Sequence, residues 1–248
     1  MEQIVNLKEI SNSIIQITMQ DRAAKNTFSE ELITGITEAF KYIKNNSTYK
    51  AVILTGYDNY FCCGGTKEEL FAIYNNEISF NQLNFFTLPL DCDIPVISAM
   101  QGHGIGGGFV FGCYADFIIL GKENIYTTNF MKYGFTPGMG GTYMIPLRLG
   151  ETIGNEMLFT AATYRGGQLK ERGIPQVVVP KAEVMQEAYK LAQSLAEKPR
   201  LSLITLKKQL TKKIKNALPS IIQDELKMHD ITFHQEEVRE RIETLFGH

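Results

Sequence analysis

Positive charge is not in surplus in this chain: 25 lysines and arginines stand against 27 aspartates and glutamates, a formal net charge of -2 over 248 residues. That balance argues against nucleic acid as the main partner, and the densest basic run, Lys207-Lys208, Lys212-Lys213 and Lys215, reads as the solvated face of a helix. Long apolar runs are missing too. No stretch approaches the roughly 18 uncharged apolar residues of a membrane span, and Met1-Glu2-Gln3-Ile4-Val5 lacks the basic region and apolar core of an export signal. Cys62, Cys63, Cys92 and Cys113 show no metal-ligand spacing, and their apolar settings suit reduced, buried thiols. The expectation is a cytoplasmic protein with no membrane, nucleic-acid or metal partner.

What is present is glycine, concentrated. After the apolar strand signal Pro95-Val96-Ile97-Ser98-Ala99, five glycines fall within residues 102–108, ahead of the apolar run Phe109-Val110-Phe111. Glycine there is entropically costly, so its use implies close approach of backbone to something a Cβ would exclude, either a packed sheet or a ligand oxygen facing turn N–H groups. The spacing does not fit a dinucleotide loop, and no Lys-Ser/Thr pair follows for a phosphate loop. A second turn of the same design, Cys62-Cys63-Gly64-Gly65-Thr66, precedes the helical stretch Lys67–Ile73. Two such turns can each present one backbone N–H to the same oxygen.

Around these turns the chain alternates strand and helix signals. Strands are expected at Ser13–Met19, Ala51–Gly56, Pro95–Ala99, Phe117–Leu120, Ile125–Thr128 and Val177–Val179. A helix is expected from Ser29 to about Asn45, and a third glycine-rich loop, Tyr133–Thr142, leads into another near Tyr143. The class is α/β with a helix-covered sheet over residues 1–180. Beyond Pro180 the pattern turns helical, 181–197, 202–215 and 219–246, with breaks at Lys198-Pro199 and Leu218-Pro219, giving a C-terminal helical region over 181–248. In the last stretch Ile222, Leu226, His229 and Phe233 form one stripe, which puts His229 on the apolar face.

In this order the Asp21–Asn26 loop, the Phe61–Thr66 turn, the 101–110 turn, the Gly134–Thr142 loop and the helical tail resemble the crotonase, or enoyl-CoA hydratase/isomerase, superfamily. The resemblance implies a crotonase fold of stacked ββα units with a C-terminal trimerisation region, in a homotrimer or dimer of trimers. It also implies an oxyanion hole made by the N–H groups of Cys63 and Gly107. The substrate it implies is a thioester on phosphopantetheine, carried by an acyl carrier protein or CoA, with no bound cofactor. Gly64, Gly65, Lys67, Ser79, Gly106 and Gly138 are the further candidate substrate-binding residues.

Departures from the family pattern narrow the chemistry. The positions matching the two hydratase glutamates hold Val110 and Phe130, so hydration is not supported. The runs Gln101–Val110, Asn129–Gly140 and Met228–His234 resemble the second hydratase-like enzymes of polyketide β-branching cassettes. That subgroup implies decarboxylation of a 3-methylglutaconyl carrier-protein thioester to a 3-methylcrotonyl-type product, with His229 as the acid. No lysine occurs between Lys67 and Lys122, where the subgroup's carboxylate-binding lysine is expected; either Lys67, Ser79 or Tyr74 takes that role, or the decarboxylation is altered in rate or regiochemistry. His103 is expected to bond backbone around the glycines. Thioester double-bond isomerisation, or a non-catalytic thioester-binding scaffold, are the alternatives.

Overall fold

The computed structural model describes residues 4–78 and 84–246. An antiparallel hairpin, β1 (Val5–Ser11) and β2 (Ile14–Met19), opens the chain, and α1 (Glu30–Lys44) follows, capped by the Ser29 side chain on Leu32 N–H. Three units of one pattern come next: a long strand, a short strand and a helix. They are β3 (Ala51–Thr55), β4 (Tyr60–Cys62) and α2 (Lys67–Tyr74); then, after α3 (Leu88–Asp91), β5 (Val96–Met100), β6 (His103–Ile105) and α4 (Gly107–Cys113); then β7 (Phe117–Gly121), β8 (Ile125–Thr127) and α5 (Gly141–Leu149). The chain continues through α6 (Glu151–Thr160), β9 (Thr163–Arg165), α7 (Gly166–Glu171), β10 (Val177–Val179), α8 (Val184–Ala196), α9 (Arg200–Thr232) and α10 (Glu236–Leu245).

Long strands build one sheet, ordered β1-β2-β3-β5-β7-β10 and parallel beyond the first pair; short strands build the other, β4-β6-β8-β9. Every residue of β3 and β5 is buried, as expected of parallel strands covered on both faces. The main core lies on one face. On the other, Val184, Ala188 and Ala192, four residues apart along α8, pack against Ile53, Ile97 and Ile119. The helical region therefore supplies a layer of the core itself.

Two expectations for that region are corrected. A proline inside a helix forfeits a hydrogen bond and costs about 3 kcal/mol, yet α9 runs unbroken through Pro219 to Thr232. Buried Thr211, Leu218 and Glu225 fix it to the core on both sides of the proline, and tertiary packing outweighs the local cost. Lys207, read as solvated, is buried: its Nζ pairs with Asp116 at 2.7 Å and donates to the carbonyls of Pro89 (2.9 Å) and Ile94 (3.1 Å).

Candidate active site

Because β4 and β6 are neighbours in the short-strand sheet, the turns that follow them lie side by side. Only glycine permits the approach. A Cβ on Gly108 would stand 2.2 Å from the Cys62 carbonyl, and one on Gly64, whose φ is +79°, would stand 3.0 Å from the Ile105 carbonyl and 3.1 Å from Gly107 N. As the first residue of α4, Gly107 has no intrahelical acceptor for its N–H. The other expected donor is differently placed: Cys63 N–H is given to the Asn26 carbonyl at 3.2 Å. That carbonyl is fixed because buried Asn26, at φ +53°, bonds through its side chain to Met19 O, Phe61 O and Asp21 N–H. Of the two expected donors, Gly107 is the one with no acceptor among the described residues.

The paired turns open on a cavity of about 810 Å³. Cys63, Gly64, Gly65, Gly106 and Gly107 form one wall; Leu70, Ile73, Phe130, Tyr133, Phe135, Met139 and Phe246 supply apolar surface; Lys25, Lys67 and Lys132 also border it. Burial pushes the Cys63 thiol up to about 11, so it is neutral near pH 7 and unsuited to nucleophilic attack. Neither hydratase position offers a carboxylate. Val110 is fully buried beside Gly141, and Phe130 contributes an apolar face. Of the acids on the wall, Glu69 is engaged in the capping box of α2, where its Oε2 accepts from Thr66 N–H at 2.8 Å.

Several expected residues stand elsewhere. His229 is 5% exposed and does not border the cavity; its Nε2–H donates to the Thr136 carbonyl at 2.8 Å, and its ring meets edge-on that of Phe135, which does line the cavity. Gly138 likewise does not border the cavity, and a Cβ there would stand 2.6 Å from His229 Cε1. Burial lowers the His229 pKa, which keeps the imidazole neutral. Lys67 borders the cavity while its ammonium reaches toward the Glu243 carbonyl at 3.4 Å; the Tyr74 hydroxyl, away from the cavity lining, reaches toward Glu236 Oε2 at 3.3 Å. Ser79 lies outside the described residues. His103 bonds backbone, but in β8 and not in the glycine turn, its Nδ1 accepting the Ile125 N–H at 3.0 Å, which places the proton on Nε2, and it also borders the cavity. Lys25 and Lys132 were not singled out by sequence: Lys25 sits in a short polar loop and Lys132 ends a single 3-10 turn, Asn129–Lys132, and neither carries a periodic signal.

The sequence profile of the enoyl-CoA hydratase/isomerase family matches residues 9–246. The chain belongs to this family. It is 55% identical to the bacillaene synthase decarboxylase PksI of Bacillus subtilis (strain 168), over 98% of each chain. Among solved structures, it superposes with a TM-score of 0.97 on one from a dehydratase/decarboxylase enzyme couple involved in polyketide β-branching, at 55% identity over 99% of this chain and 100% of that one. The ECH2 decarboxylase domain of CurF from Lyngbya majuscula superposes at 0.95, with 44% identity over 99% and 100%. A probable mitochondrial enoyl-CoA hydratase of Dictyostelium discoideum is 25% identical over 90% of this chain and 81% of that protein. The expected crotonase fold, and the expected decarboxylase of polyketide β-branching in place of a hydratase, are borne out.

Proposed function

We propose that this family member decarboxylates a 3-methylglutaconyl thioester held on an acyl carrier protein, giving a 3-methylcrotonyl-type thioester. The observation that supports this most is the pairing of a Gly107 N–H uncommitted among the described residues with a largely apolar cavity, where apolar Val110, buried in α4, and Phe130, on the cavity wall, stand at the hydratase acid positions. The bond to the carboxylate carbon breaks, CO₂ leaves, and the electron pair passes through the double bond into the thioester carbonyl. The resulting dienolate oxygen is met by Gly107 N–H and by Cys63 N–H, shared with Asn26; a fixed donor of this kind is worth about 10²–10³ in rate. An apolar surround disfavours the substrate carboxylate relative to the delocalised dienolate.

His229, neutral at rest, takes a proton from solvent and delivers one proton to carbon, ending neutral again. For this the ring exchanges its bond to Thr136 O for the substrate as Phe135 shifts. Lys25 and Lys132, bordering the cavity, suit the phosphate of a phosphopantetheine arm. Exposed Leu201, Leu206 and Leu210 on α9 suit burial in a homotrimer. Turnover in D₂O tests the chemistry: one deuteron appears at carbon per CO₂ lost. Deuterium uptake with no CO₂ released contradicts the reading and indicates isomerisation.

A further inference from the structure

The buried carboxylate of Glu225 takes no part in the chemistry above. It stands on α9 one turn before His229, is 2% exposed, and is bonded by no cation among the described residues. One oxygen accepts the Gly140 N–H at 2.6 Å; the other accepts the Thr142 N–H at 2.9 Å and the Thr142 hydroxyl at 2.6 Å. These N–H groups begin α5, and Gly140 has no side chain with which to cap them. Burying an acid without a cation is costly unless its oxygens are satisfied. Here three donors satisfy them, and a single carboxylate grips both ends of one turn.

That turn is part of the cavity wall. Met139 (φ +61°) and Gly140 (φ +70°) are successive left-handed residues, a conformation that costs a side-chain-bearing residue about 1–2 kcal/mol and so needs holding. The Tyr114 hydroxyl holds it from α4, donating to the Met139 carbonyl at 2.6 Å. The Met139 sulfur so held lies 2.8 Å from where a Cβ on Gly107 would stand, which places it directly over the residue whose N–H is uncommitted.

We infer that Glu225 is a positioning residue: by fixing the Met139–Gly140 turn it sets the gap between the Met139 side chain and Gly107, and with it the acyl shape accepted beside that donor. This rests on the thioester reading of the site. Glu225→Gln keeps the shape but offers an acceptor to only one of the two donor sets. Amide exchange at Gly140 and Thr142 is expected to quicken at least tenfold. The kcat for the thioester is expected to fall about 10–100-fold, with weaker binding of the acyl group.

A double-mutant cycle with Met139→Ala separates positioning from mere support of the fold. In the Met139→Ala background Glu225→Gln is expected to cost less than threefold in kcat. Equal losses in both backgrounds, or an unchanged kcat despite faster exchange, overturn the inference. If Glu225→Gln does not fold, Tyr114→Phe loosens the same turn from the other side, and the same coupling or additivity decides. The cycle is also read as affinity for the non-reactive amide analogue of the 3-methylcrotonyl pantetheine thioester, which keeps the carbonyl oxygen. It therefore stands apart from the reaction itself: an enzyme that releases no CO₂ yet shows the coupling in binding overturns only the functional reading.

Discussion

At His229, burial and hydrogen bonding set the protonation state before any substrate arrives. The Nε2–H on Thr136 O fixes one tautomer, and desolvation holds the pKa below its usual 6.5. The native state therefore binds fewer protons here than the unfolded chain. Its contribution to stability is complete above about pH 6.5 and is lost as pH falls through the lower folded value. Urea unfolding of wild type and His229→Gln from pH 7.5 to 5 should show their difference shrinking below 6.5; a constant difference would assign the shift elsewhere. On activity, the same variant should lose about 10²–10⁴ in kcat. The missing hydratase acids were legible, because the residue type at a motif position is written in the sequence. Glu225 was not: its donors lie 83 and 85 residues away, and no local pattern marks an acid that faces inward.

Among the elements, the short strands carry the site and were the hardest to read. β4 and β6 have three residues each, too few for a period-2 signal, and β6 is half embedded in the glycine run. The two turns they lead into were visible through their glycines, and the contact between those turns is the testable part. Gly108→Ala places a methyl group 2.2 Å from the Cys62 carbonyl, so the turns must part. Loss of activity is expected with thermal stability lowered by about 1–3 kcal/mol, the usual cost of overpacking, checked by calorimetry and turnover on the folded fraction. In α9, the Leu218-Pro219 signal misled because packing on either side of a proline is invisible to propensity. Pro219→Ala should therefore raise stability by up to about 3 kcal/mol in denaturant titration.

Over the whole molecule, the C-terminal helices complete the α/β core. α8 closes the second face of the long-strand sheet, and Lys207 pins α9 through a buried pair with Asp116. Lys207→Met leaves Asp116 without its cation and should cost about 3–5 kcal/mol, measured by urea unfolding. The wall turn gripped by Glu225 depends on that docking, which ties acyl recognition to the helical region. The central claim is decarboxylation at the paired turns. Intact-mass spectrometry of a 3-methylglutaconyl acyl carrier protein, before and after incubation with the enzyme, tests it most directly. Loss of the mass of one CO₂, abolished in Gly108→Ala, is the expected result; a gain of the mass of water, or an unchanged mass at full enzyme loading, rules decarboxylation out.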